Sequence, residues 1–357
     1  MDTSSLTETT ARALGAAAGQ PVRIGIAGAS GFAGQELLRW LAGHPRVRIT
    51  AAMSSSPDGP ARTLPALAKI WDGIIEPFSA DRLAEQSDVV FLALPEDAAA
   101  AMTPILINRG IRVIDLSGAF RLRDADARAK WYPATTLGSL TPVYGLTERN
   151  YGAIPGAQLI TNPGCYPTAA LLALEPLDEA GLLVGDVVID AKSGISGAGK
   201  KPSDRTHFSE NHGSVSAYGV FGHRHQPEIE QELGAPVTFV PHLVPLDRGI
   251  LETIYARVRP GTTSRDVATA FETAYNHAPF VRVTGETLPE IKHAAHTNFC
   301  DIGWRLDAGG GRIVLVAVVD NLIKGAAGQA IQNLNVMLGY DERTGLLPVA
   351  SSSADHK

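Results

Sequence analysis

Three glycines, Gly28-Ala-Ser-Gly31-Phe-Ala-Gly34, stand between the apolar run Val22-Arg-Ile-Gly-Ile-Ala27 and the helically spaced Gln35-Glu-Leu-Leu-Arg-Trp-Leu-Ala42. A strand that turns this abruptly into a helix needs residues without side chains. The turn must be tight, and helix and strand must pack closely. The free N–H groups at such a helix start form a seat for a phosphate or pyrophosphate, so the motif predicts a dinucleotide site at the head of a βαβ unit. Gly43-His-Pro45 ends the helix. Strand-like runs follow at Val47–Ala52, Asp88–Leu94 and Ile111–Leu116, with helical stretches between them. Strands alternating with helices predict a parallel sheet wound on both faces.

The chain has 357 residues, more than one core usually serves. From Asp186 its texture changes. Val187–Ala191, Val237–Val240, Gly249–Val258 and Ile313–Val319 read as strands with few crossover helices between them, which predicts a largely antiparallel sheet. The expected fold is therefore α/β plus α+β: a doubly wound Rossmann domain over residues 21–164 and a catalytic domain over 165–320. A late helix within 321–346 is expected to pack back on the first domain, between a disordered leader (1–20) and a tail (347–357). The formal net charge of −6 and the absence of a Lys/Arg-rich run argue against nucleic acid. No apolar run reaches the roughly 20 residues a bilayer requires. The acidic, polar start lacks the basic segment of a secretory signal, and two widely spaced cysteines make no disulfide framework. The expected setting is cytoplasmic, with no membrane partner.

Of the two cysteines, Cys165 is placed for chemistry. It follows the Pro-Gly bend of Asn162-Pro-Gly-Cys-Tyr-Pro-Thr168 and opens an apolar helical stretch. The helix dipole and free amides there favour the thiolate, so the position predicts an activated nucleophile. A thiol needs an acid/base partner, and Gly222-His-Arg-His225 offers two histidines before a Pro-containing helix. No compact ligand spacing supports a metal, and none is expected. Ser193-Gly-Ile-Ser-Gly-Ala-Gly-Lys200 is a second glycine-rich loop, fit to hold a phosphate or the nicotinamide end of a cofactor. Arg121 follows the end of a parallel strand and is suited to clamp a carboxylate. The second strand ends in Ser54-Ser55-Ser56 with Arg62 nearby and no acid before Asp58, which favours a 2′-phosphate and hence NADP over NAD. None of the eight tyrosines is followed four residues later by Lys, which excludes the Tyr-x-x-x-Lys proton relay of short-chain dehydrogenases and sugar epimerases.

Together these segments resemble the N-acetyl-γ-glutamyl-phosphate reductases of arginine biosynthesis. The resemblance spans nearly the whole chain after the leader. It rests on Gly28–Gly34, Phe91–Pro95, Val113–Ser117, Asn162–Thr168, Asp190–Gly199, Gly222–His225, Pro241–Pro245 with Arg248-Gly-Ile250, and Asp320–Gly325. One departure is Ser117-Gly-Ala-Phe120, where the family would show Ser-Ala-Asp-Phe. The resemblance implies a Rossmann NADP(H) domain joined to a domain like that of glyceraldehyde-3-phosphate and aspartate-semialdehyde dehydrogenases, usually in a homodimer or homotetramer. It implies Cys165 as nucleophile and a histidine of the cluster as acid/base, with His223 favoured by position and His225 second. The expected cofactor contacts are Gly28, Ser30, Gly31, Phe32, Ala33, Gly34, Ser54, Arg62, Leu94, Pro95, Ser196, Gly197 and Asn321. The expected substrate contacts are Ser117, Arg121, Asn162, Lys200 and Tyr218. The nearest rival is the paralogous lysine-biosynthesis reductase, which acts on a carrier-bound aminoadipyl phosphate. A non-enzymatic NADP-sensing regulator is a rival of another class.

Overall fold

The computed structural model describes residues 20–347. Apart from their innermost residues, the leader and tail of the sequence reading lie outside the described residues. Strand β1 (Val22–Ala27) pairs in parallel with β2 (Val47–Met53) on one side and β3 (Val89–Leu92) on the other. With β4 (Arg112–Asp115), β5 (Val143–Tyr144) and β6 (Leu159–Thr161) they form a six-stranded parallel sheet of order β2-β1-β3-β4-β6-β5.

Both faces of this sheet are covered. Val89 and Phe91 face one core with Leu37, Leu38 and Leu41 of helix α1 (Phe32–Ala42), while Val90 and Leu92 face another with Leu83 and Leu106. Every residue of β3 is buried, so the strand reads as an unbroken apolar run. The chain leaves β1 towards β2 and then returns to β3 on the far side of β1. The loops after β1 and β3 diverge there and open a crevice at the carboxyl ends of the strands, where ligands bind in such sheets.

Helix α2 (Cys165–Glu179) follows β6, and twelve of its fifteen residues are buried. It is apolar all round because it is enclosed. On one side lies the second sheet, built from β7 (Leu183–Gly194), β8 (Ser216–Ala217), β9 (Val237–Val244), β10 (Ile250–Val258), β11 (Val281–Gly285), β12 (Cys300–Leu306) and β13 (Arg312–Val319). Its order is β11-β12-β13-β10-β7-β9-β8, with only the β7–β9 and β11–β12 pairs parallel. Against another side of α2 packs helix α3 (His225–Leu233). After β13 come a π-helical turn (Ile323–Ala327) and helix α4 (Gly328–Met337), whose Ile331, Leu334 and Met337 share the α1 core. Among the described residues no helix is long and apolar enough to cross a membrane.

Candidate active site

The crevice after β1 and β3 is a cavity of about 490 Å³. Gly28 has φ +81°, and a Cβ there would stand 2.1 Å from the Ala93 carbonyl oxygen; one on Gly34 would stand 2.3 Å from the Gly28 oxygen. The first glycine lets the two loops meet and the third lets α1 close on the turn. Gly31 has only the Gly28 oxygen within 4 Å of a would-be Cβ, and it lines the cavity with Ser30, Ser55, Arg62, Pro95 and Lys200. Phe32 and Ala33 begin α1 beside them. Leu94 is buried in the core, and Ser54 gives its hydroxyl to the Ser56 carbonyl, so Ser55 takes the cavity-lining place expected of Ser54. Backbone that a Cβ would fill, a helix start and two cations fit the phosphates of a dinucleotide.

Cys165 is the first residue of α2, with Gly164 as N-cap. Gly164 has no side chain because the His225 imidazole lies over it: a Cβ would stand 2.6 Å from His225 Nε2. On the other side, a Cβ on Gly325 would stand 2.8 Å from Cys165 Cβ. The nucleophile position is thus gripped between two glycines, one under a histidine and one in the π-turn. Burial pushes the thiol up to about 11, against the Arg121 charge and the Tyr166 backbone N–H, which pull it down. A rim of the residue stays open, but the crowding decides the direction. The expectation of a thiol ionised by its helix start thus meets an opposing influence, the desolvation of the thiolate.

The two histidines divide. His225 is buried, and burial with the neighbouring His223 and Arg121 holds its pKa well below the usual range. His223 is more open and is lowered to about 4, again chiefly by burial. Its Nδ1 accepts the His225 backbone N–H at 3.1 Å, which leaves Nε2 to carry the proton of the neutral ring. The rings lie 4.8 Å apart, both against Tyr166. It is His225, not the favoured His223, whose ring closes on the residue before the thiol. Tyr218 joins the cluster, with its hydroxyl 3.3 Å from that of Tyr166.

A residue missed by the sequence reading holds this arrangement together. Glu228, one turn after His225 on α3, is fully buried. Its Oε1 accepts the Gly164 N–H and the Tyr144 hydroxyl, both at 2.8 Å, and its Oε2 pairs with Arg121 at 3.2 Å. The i, i+3 spacing of His225 and Glu228 was its only signal. Arg121 also donates to the Asn162 and Leu116 carbonyls, and Glu228 holds its guanidinium charged despite burial. Asn162 is engaged with Ala326 and Asn333, and Ser117 with Asp115. The expected substrate residues Ser117, Arg121 and Asn162 each make internal bonds that shape the loop around Cys165. Asn321, expected at the cofactor, is likewise buried, bonded to Ser196 Oγ and the Gly249 N–H; Gly197 lies beside it. Lys200, expected at the substrate, reaches the dinucleotide cavity instead and donates to the Ser30 carbonyl at 2.8 Å. Its loop leaves the second sheet towards the glycine turn.

Glu252 on β10 is fully buried, and neither of its oxygens has a hydrogen-bond partner. It stands between Ala191 and Ala317 on the neighbouring strands. Burial raises its pKa well above the ordinary value. Among the described residues, no group of three or more His, Cys, Asp or Glu side chains is disposed to hold a metal ion.

The dinucleotide crevice and the helix-borne thiol lie in two domains that both match the semialdehyde dehydrogenase class. The profile of the semialdehyde dehydrogenase NAD-binding domain matches residues 23–157, and that of the semialdehyde dehydrogenase dimerisation domain matches 165–321. Aspartate semialdehyde dehydrogenase II from Vibrio cholerae superposes with a TM-score of 0.69 at 19% identity, over 89% of this chain and 98% of that one. The Candida albicans enzyme, solved with NADP, gives 0.65 at 17%, over 89% and 98%. Closer in sequence are the N-acetyl-gamma-glutamyl-phosphate reductases of a Geobacillus strain (WCH70) and of Shouchella clausii. Each is 45% identical to this chain, covering 91% of it and 98% of the relative. That of Geobacillus stearothermophilus is 44% identical over 92% and 99%. The chain belongs to the N-acetyl-gamma-glutamyl-phosphate reductase family.

Proposed function

We propose that the chain reduces N-acetyl-γ-glutamyl phosphate to the semialdehyde and phosphate, with Cys165 as nucleophile, His225 as its acid/base and NADP(H) as cofactor. The observation that carries this is the placement of Cys165 at the start of α2, next to Gly164, over which the His225 ring lies. When bound, the cofactor supplies the hydride. The thiol proton passes to His225 as sulfur attacks the acyl carbon. The C–O bond to phosphate breaks, and the imidazolium returns that proton to the departing phosphate. A thioester on Cys165 remains. Once its carbonyl carbon has gained hydride, the backbone N–H groups at the start of α2 stabilise the alkoxide. The C–S bond then breaks, the aldehyde leaves, and the thiolate regains a proton from solvent through the imidazole.

Glu228 positions rather than reacts. It holds the Gly164 amide and the Arg121 guanidinium so that the loop around the thiol keeps one conformation. Ser55 and Arg62, lining the cavity with no carboxylate among its lining residues, support NADP over NAD. The dimerisation-domain match and the open, partly apolar sheet face around Tyr255 and Val314 support a homodimer or homotetramer. The relatives' names favour the arginine pathway over the lysine one, and we place the chain in the cytoplasm.

Phosphate-dependent reduction of NADP by N-acetylglutamate semialdehyde, set against the aminoadipate analogue, tests the assignment. Cys165→Ala abolishes it while cofactor binding survives. His225→Asn lowers kcat by about 10²–10⁴-fold, and His223→Asn lowers it less. Turnover retained by Cys165→Ala overturns the nucleophile, and a larger loss in His223→Asn reverses the histidine assignment.

A further inference from the structure

Lys200 makes one of several contacts between the two domains, which also include Arg248–Glu36 and Arg121–Glu228, and it alone of these reaches the dinucleotide cavity. It follows β7 and the 3₁₀ turn Ile195–Ala198 of the second domain, yet its ammonium lies at the glycine turn of the first. Nζ donates to the Ser30 carbonyl at 2.8 Å and stands 5.1 Å from the centre of the Phe32 ring, over the first residue of α1. Arg62 lines the same cavity, and no carboxylate does. Two like charges facing one hollow without an acid repel each other, and a dinucleotide that sets one phosphate group beside each relieves that repulsion. Lys200 feels it: burial and the Arg62 charge lower its pKa. A main-chain carbonyl is a weak partner for an ammonium compared with a phosphate oxygen.

We infer that Lys200 is a cross-domain latch for the cofactor's pyrophosphate, exchanging the Ser30 carbonyl for a phosphate oxygen at the start of α1. The inference rests on the nicotinamide-dinucleotide reading above. Pyrophosphate is favoured over the adenosine 2′-phosphate because Nζ stands over Phe32, at the helix start, whereas Ser55 follows the end of β2. The loop that carries Lys200 also carries Ser196, held by Asn321 four residues before Gly325, on which Cys165 packs. Engagement of the lysine therefore braces the loop beside the thiol when the cofactor arrives.

The test is equilibrium titration of the purified enzyme with NADPH and with NADH, followed by cofactor fluorescence, for wild type, Lys200→Gln and Lys200→Arg. Loss of a charge-assisted hydrogen bond raises Kd about tenfold in Lys200→Gln, by the same factor for both cofactors. Lys200→Arg restores most of the affinity. The melting temperature of the cofactor-free variant stays near wild type while its cofactor-induced rise shrinks. Unchanged Kd values in Lys200→Gln overturn the inference, and a loss confined to NADPH overturns the pyrophosphate assignment. A wild type that binds neither cofactor refutes the dinucleotide reading itself, a result separate from both.

Discussion

Alkylation of Cys165 by iodoacetamide in the ligand-free enzyme separates the two influences that meet at the start of α2. If helix dipole and amides prevailed, the thiol would ionise below the ordinary value near 9; burial instead takes it to about 11. At pH 8 a thiol near 9 is about one-tenth ionised and one near 11 about one-thousandth, a difference of about 90-fold in thiolate. A Brønsted slope of about 0.4–0.5 makes the more basic thiolate about eightfold more nucleophilic, leaving a net deficit of about tenfold. The shape of the profile is more telling than its height. Between pH 7 and 9.5 the logarithm of the rate should climb with unit slope and without levelling. Cys300, fully buried and pushed higher still by burial, supplies the background, measured in Cys165→Ala. A plateau below pH 9 would refute the argument that desolvation outweighs the helix start. The reading has a catalytic corollary: a thiol protonated at rest must lose its proton during attack, which gives the adjacent His225 a task that a pre-formed thiolate would not.

Gly164→Ala places a Cβ 2.6 Å from His225 Nε2 and 2.9 Å from two ring carbons, so the imidazole must move by several tenths of an ångström. A shift of this size should lower kcat by about 10²-fold with the fold intact, while Gly156→Ala, whose Cβ would meet nothing within 4 Å, leaves it unchanged; equal kcat values would remove His225 from the chemistry. Glu252→Gln keeps the shape of a buried carboxyl but cannot ionise. The folded-state pKa of Glu252 is raised, so the wild type binds more protons folded than unfolded and loses stability as pH rises above the ordinary carboxyl value near 4.5. The variant should match wild type in Tm near pH 4 and exceed it by about 2–4 °C at pH 8 in a thermal melt, and a lower Tm at pH 8 would contradict an unpaired acid there.

What could be read from the chain, and what could not, follows from which interactions are local. The parallel sheet was legible because β1 and β3 are apolar runs and the glycines between β1 and α1 serve a turn a few residues long. The two-residue strands β5 and β8 and the three-residue β6 carry too little pattern to read and exist because a neighbouring strand supplies their hydrogen bonds. At the site, the thiol at a helix start was legible for the same reason as the glycine turn. The commitments of its polar neighbours were not. Arg121 shows five donors in sequence and meets Glu228 107 residues away, and Asn162 meets Asn333 171 residues away. A donor whose acceptor is that distant looks wholly free until the fold shows the bonds that it already makes. Glu228 shows the converse. In sequence it is an ordinary acid in the first turn of a helix, yet the fold sets its two oxygens between an amide, a phenol and a guanidinium, three groups that no local spacing connects. The sign of the thiol's pKa belongs to this second kind. The helix start that lowers it is local and readable, whereas the burial that raises it comes from strands and helices across both domains, so only the assembled fold decides between them.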